Sequence, residues 1–216
     1  MYFEGYLSKN ELDLVESLTS PLKIQNYLDS LPYVGEDLNR SPLRVIRDRQ
    51  CHCLDGGILA ALALRRLGYP PLILDLVPEP NTDDDHVLAI FSQNGCYGAV
   101  AKSNFVGLRY REPVYRSLRE LVMSYFEQFY NIAGLKTLRG YTRPLNLSRF
   151  DRFEWAARES GVEKIVKALY RRQTNSVIDS AQGVSLSPVD RRSYEAGMLG
   201  VNYEGLYKPA VGLSGE

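Results

Sequence analysis

Apolar positions recur at helical spacing before residue 67 and after residue 115, and in short extended runs between them. Ser8 to Leu18 predicts a helix. Ser8 is its N-cap, Glu11 completes a capping box, and Leu12, Val15 and Leu18 share one face. Ser20-Pro21 opens a second, with Leu22, Ile24, Tyr27, Leu28 and Leu31 on its apolar side and Pro32 as its stop. Ser41-Pro42 opens a third, through Ile46, after a loop from Tyr33 to Arg40. The longest apolar helix runs Cys53–Leu67, with Arg65-Arg66 in its last turn, Gly68 as its stop, and Pro70 and Pro71 beyond.

Extended runs follow. Strands are predicted at Leu72–Val77, at Val87–Ser92 with His86 at its start, and at Tyr97–Ala101. A further strand is predicted at Val106–Tyr110. Asn94-Gly95 marks a hairpin between the second and third. The helical pattern returns at Ser117, with Leu118, Leu121, Val122, Tyr125, Phe126 and Phe129 on one face and Gly134 after the end. Leu145 to Trp155 is less regular, and Val162 to Arg172 is helical again. Beyond Thr174 periodicity fades, and Pro188 onward reads as an irregular arm on the surface, while Met1 to Tyr6 reads as an extended lead-in. A helix followed by antiparallel strands is an α+β order, not a repeating βαβ one. The expected organisation is a single domain over 1–216. It comprises a helical cover (1–40), a core (41–112), and a helical extension with an irregular tail (113–216).

Composition narrows the function classes. Lys plus Arg and Asp plus Glu are 26 each, so net charge gives no argument for nucleic acid or an anionic membrane. No basic segment followed by an apolar run begins the chain, and no stretch approaches a membrane span of about 20 residues. Three cysteines argue against a disulfide framework, which fits a reducing, cytoplasmic setting.

One thiol stands out. Cys53 lies at the positive pole of the helix dipole, which predicts a lowered thiol pKa and a nucleophile. Gly56 and Gly57 follow at once, and suit the close approach of another backbone or a substrate. The chain has only His52 and His86, so an imidazole base must be one of them, and His86 opens a strand. A Cys at a helix start and a His at a sheet edge is the papain-type arrangement. The plain alternatives are a buried structural thiol and a satisfied histidine near a sheet edge.

The run Cys51-His52-Cys53-Leu54-Asp55-Gly56, then Leu59-Ala60-Ala61-Leu62 and Leu67-Gly68-Tyr69-Pro70, resembles the signature of the transglutaminase-like superfamily. His86 and the hairpin Gly95-Cys96-Tyr97 extend the resemblance, which covers roughly Ser41 to Asn104. With Arg109-Tyr110-Arg111-Glu112-Pro113 it is similar to an uncharacterised bacterial subgroup. The resemblance implies a papain-like core, with a Cys-bearing helix on an antiparallel sheet and flanking N- and C-terminal helices. It further implies amide or thioester acyl transfer or hydrolysis, with Cys53 as nucleophile, His86 as base, and no cofactor. The substrate would be a peptide, a protein or a small amide or thioester. The superfamily's third residue, usually Asp, falls at Ala101. Asn104 or Ser103 is the expected replacement that orients His86, with a backbone carbonyl or Asp85 as other acceptors. Gly56, Gly57, Tyr97 and Arg109 are the expected substrate-binding positions.

Two other readings of the same residues stand beside this one. In the first, the chain is catalytically inactive and binds a peptide or protein partner in the cleft, as the missing Asp suggests. In the second, Cys51, Cys53, His86 and Cys96 make a structural zinc site, although Cys-x-Cys is tighter than the usual spacing. Asp83-Asp84-Asp85 reads as a solvated loop, and Asp85 is expected to raise the pKa of His86. Arg109, Arg111, Arg116 and Arg119 form a basic patch. It either pairs with Glu112 and Glu120 or docks a carboxylate or phosphate.

Overall fold

The helix starts are fixed by short polar side chains. In the computed structural model, which describes residues 3–207, Ser8 Oγ accepts from the Glu11 N–H at 3.4 Å, Ser20 Oγ from Lys23 N–H at 3.2 Å and Ser41 Oγ from Arg44 N–H at 3.3 Å. These caps open α1 (Lys9–Ser17), α2 (Pro21–Asp29) and α3 (Pro42–Asp48). Helix α4 (Cys53–Arg66) is buried along nearly all its length, from Leu54 to Leu64.

The strands are β1 (Leu72–Pro78), β2 (His86–Gln93), β3 (Cys96–Val100), β4 (Arg111–Tyr115), β5 (Leu138–Thr142), β6 (Leu145–Asn146) and β7 (Thr174–Ser176). Among the described residues they form one antiparallel sheet in the order β4-β3-β2-β1-β5-β7, with β6 also on β1. Asn94 and Gly95 both have positive φ, 53° and 78°, as the hairpin between β2 and β3 requires.

The sheet is covered on both faces. Val87, Ala89 and Phe91 of β2 join a core with α4, Ile24 and Leu28 of α2, and Trp155. Leu88 and Ile90 join a second core on the opposite face with Leu121 and Val122 of α5 (Leu118–Met123) and with Leu108 and Phe129. This explains why β2 reads as an unbroken apolar run rather than an alternating one.

Gly57 shows which face meets α4, because a Cβ there would stand 2.8 Å from Val87 Cγ1. Gly56 is tighter still, since its Cβ would stand 2.3 Å from Lys102 Cβ, near the backbone and not at a flexible side-chain end. Gly56→Ala is therefore expected to lose about 3 kcal/mol, the upper end for overpacking. Gly5→Ala, which meets nothing within 4 Å, is expected to change stability by less than about 0.5 kcal/mol. Urea unfolding of both variants is the check, and equal midpoints would refute the close approach of α4 to Lys102.

Several expectations need correction. Val106–Leu108 is a 3-10 turn, and the strand comes later, at Arg111–Tyr115. The helix from Ser117 stops at Met123, and Phe126–Gln128 is a separate 3-10 turn. The irregular stretch from Leu145 holds β6 and a 3-10 segment, Leu147–Phe153. After α6 (Glu159–Leu169), the tail contains β7 and two short helices, α7 (Ser180–Val184) and α8 (Arg191–Gly197). Asp179 and Asp190 cap these helices. At the start of the chain, Glu4–Tyr6 is a 3-10 turn rather than extended. The ends of the predicted lead-in and arm, residues 1–2 and 208–216, lie outside the described residues. No described helix is long and apolar enough to cross a membrane.

Candidate functional site

The start of α4 is held by a buried polar network. Asp55 Oδ2 accepts from the His52 N–H at 3.4 Å, and Asp55 Oδ1 from the Arg40 N–H at 2.7 Å. His52 Nε2 lies 3.1 Å from Leu38 O and 3.3 Å from Asp55 Oδ1, so this nitrogen carries the proton and donates. Arg40 is 2% exposed and reaches Asp48, Glu36 and Asp55. The network fastens residues 36–48 to the helix that carries Cys53, and Asp55 is its hub.

Cys53 Sγ lies 3.8 Å from the carbonyl oxygen of Asp85. The expected lowering of its pKa does not hold here. Burial pushes the thiol well above the ordinary cysteine value, and the charges of Asp85, Asp75 and Asp84 push it further. The N–H of Val87 opposes them. A helix terminus contributes about half an elementary charge, too little to offset desolvation and three carboxylates. Cys51 is also raised, to about 12, chiefly by burial.

His86 is placed on the other side of the sheet. Successive strand residues point to opposite faces. Val87 points at α4, so the His86 side chain points away, into the core that contains Leu108. There Nε2 donates to Leu108 O at 2.7 Å. The ring is 4% exposed, and burial lowers its pKa to about 4, where Asp85 was expected to raise it. The imidazole is therefore held neutral, by a backbone carbonyl.

Ser103 and Asn104 share a small cavity with His86, but their hydrogen bonds go elsewhere. Ser103 Oγ accepts from the Phe105 N–H at 3.0 Å. The Asn104 amide makes a reciprocal pair with the Asn202 backbone, at 2.9 and 2.8 Å. Ala101, at the superfamily's Asp position, is clamped by the Gln25 side chain through its N–H and its C=O, both at 3.0 Å. Gln25 and Lys102, whose Nζ donates to Leu28 O at 2.9 Å, tie α2 to the end of β3.

The expected substrate-binding positions also move. Gly56 and Gly57 are buried against Lys102 and Val87, so the close approach they permit is made by the protein itself. Tyr97 pairs with Ser92, six residues along β2 from His86, and at ~3.3 Å per residue this places it about 20 Å away. Arg109 pairs with Asp29 at 3.1 Å and lines a cavity of about 420 Å³ with Ser103 and Asn104. Arg111 stacks over Tyr125 and Arg119 donates to Val177 O, so neither pairs with Glu112 or Glu120. Among the described residues no three His, Cys, Asp or Glu side chains are grouped to hold a metal ion, and His86 lies across the sheet from α4.

Asp85, read from the sequence as part of a solvated loop, meets a partner beside Cys53 that sequence reasoning passed over, Asp75. Asp75 of β1 pairs with Val87 in register and so shares the α4 face. Its carboxyl and that of Asp85 lie against each other, and the Tyr170 hydroxyl faces Asp85. Burial raises both; the Asp85 charge adds to the rise of Asp75, and the Asp84 charge adds to that of Asp85, which reaches about 6. A single Asp within the strand-like run Leu72–Val77 was the available signal.

No family model and no curated protein matches the sequence. Among solved structures the chain is similar to Legionella pneumophila LapG. The two are 15% identical, with a TM-score of 0.37, over 50% of this chain and 71% of that chain.

Proposed function

We propose that this chain is a transglutaminase-like protein that binds a peptide or protein partner in its cleft and does not turn over an acyl-enzyme. The observation that carries the reading is the position of the His86 ring. It lies on the sheet face opposite α4, and its Nε2, already donating to Leu108 O, is not free to take the Cys53 proton. The protonated thiol and the engaged Ser103 and Asn104 agree with it.

Thiol-dependent acyl transfer or hydrolysis is the second reading. It is favoured by one feature, the Val87 N–H that helps to hold charge on the Cys53 sulfur. The two readings differ in cysteine reactivity. Iodoacetamide labelling with peptide mapping at pH 7 is expected to modify Cys53 at least about tenfold more slowly than a free thiol of pKa about 8.5. His86→Ala should leave that rate within twofold. Fast labelling of Cys53 that the His86 substitution slows would overturn the binding reading and restore the acyl-enzyme.

A further inference from the structure

The cavity beside the Asp75–Asp85 pair has a volume of about 390 Å³, within the range of small-ligand sites. Asp75, Glu79, Asp83, Asp84, Asp85 and Tyr170 line it. Most of the nearby cation chemistry is already used. Arg139 Nε pairs with Glu79 at 2.6 Å, and Thr137 Oγ1 donates to Asp83 at 2.7 Å. Arg172, also on the wall, donates to Arg143 O at 3.1 Å and Pro144 O at 2.6 Å. Among the described residues Asp75, Asp84 and Asp85 have no ion-pair partner.

Asp75 is the independent sign of a ligand. It is 3% exposed, it lines the cavity, and its Oδ1 has no hydrogen-bond partner. A buried carboxylate oxygen without a donor costs about 1–3 kcal/mol or more. Retaining it beside a second carboxylate is understandable if a donor arrives from outside. The acids are not grouped around a point that would suit a metal ion. An ammonium carries three N–H donors and a guanidinium five, at the end of a stem, and either can serve carboxylates that are spread along a wall.

We propose that this cavity receives the basic side chain, ammonium or guanidinium, of a bound peptide. The site deepens the binding function above and rests on it. Asp75 and Asp85 accept from the cationic head, and the Tyr170 ring at the rim covers the stem. No covalent bond is made or broken, so the site does not depend on the state of Cys53.

The test is a titration of the full chain followed by backbone amide NMR. The probes are Nα-acetyl-lysine methylamide, its arginine counterpart, its neutral norleucine counterpart, and calcium chloride. The basic probes are expected to shift the amides of Asp75, Asp85 and Tyr170, with dissociation constants at least fivefold below that of norleucine. Asp75→Asn combined with Asp85→Asn replaces two buried carboxyls with amides of the same shape and is expected to fold. The unperturbed spectrum elsewhere verifies this, and the double variant should weaken the basic probes at least fivefold. Equal binding of norleucine, undiminished binding by the double variant, or shifts caused by calcium alone would each overturn the proposal. Failure of the wider function would appear elsewhere, as turnover at Cys53, so the two failures are distinguishable.

Discussion

Asp55→Ala is expected to destabilise the protein by about 3–5 kcal/mol, the range for breaking a buried charged network. Asp55 is fully buried and accepts from the Arg40 and His52 backbone N–H groups, while Arg40, 2% exposed, carries a guanidinium beside it. Alanine leaves both N–H donors without their acceptor and leaves Arg40 with Glu36 and Asp48 alone. Burial raises the Asp55 carboxyl in spite of His52 and Arg40, so its value lies in accepting hydrogen bonds more than in its charge. Asp55→Asn, which keeps one accepting oxygen, should therefore cost less than half as much. Urea unfolding with linear extrapolation is the measurement. If alanine and asparagine cost the same small amount, Asp55 does not anchor the start of α4. A large cost for alanine alone would show that Asp55, two residues after Cys53, holds the start of α4 in place.

Lowering the pH from 7 to 4 is expected to remove on the order of 3 kcal/mol of the stability that His86 contributes. The figure follows from 1.36 kcal/mol for each pKa unit. The folded-state pKa of His86 is lowered from 6.5 to about 4. Below the unfolded value the unfolded chain takes up a proton that the native chain refuses, so stability falls as pH drops through 6.5 toward 4. Asp85 and Asp83 act in the opposite direction over much of the same window. Their folded-state pKa values are raised from 3.8 to about 6. Their contribution is therefore lost as pH rises through that interval. The difference between the native chain and His86→Gln isolates the histidine, because the glutamine amide can still donate toward Leu108 O. This difference should shift in favour of the variant by that amount between pH 7 and pH 4. An NMR titration should also show His86 neutral at pH 6. A flat difference, or a His86 pKa near 6.5, would place the ring in contact with water and undo the argument from its burial.

Elements whose signals are short-range were legible along the chain. Ser8, Ser20 and Ser41 cap helices because a hydroxyl three residues before an N–H needs no tertiary partner to reach it. Asn94-Gly95 turns because those residues tolerate positive φ. The buried α4, with its arginines at the end and Gly68 beyond it, was legible for the same reason. So was the α+β order of helix and antiparallel strands.

Whatever depends on faces and pairing is set by long-range contacts. The run from Val87 to Phe91 is apolar at every position because both faces of β2 are covered. Its parity relative to α4 therefore leaves no mark in the sequence, and only the contact of Val87 with Gly57 sends His86 to the far side. The state of the Cys53 thiol was decided in the same way. A helix start favours the thiolate, but how deeply a sulfur is buried and which carboxylates face it are long-range facts. Asp75 and Asp85 meet only when β1 and β2 pair. β5, β6 and β7 are short strands whose partners lie far along the chain. Asn104 was legible as a hydrogen-bonding side chain near His86, but its partner Asn202 lies 98 residues away, and no local pattern announces it.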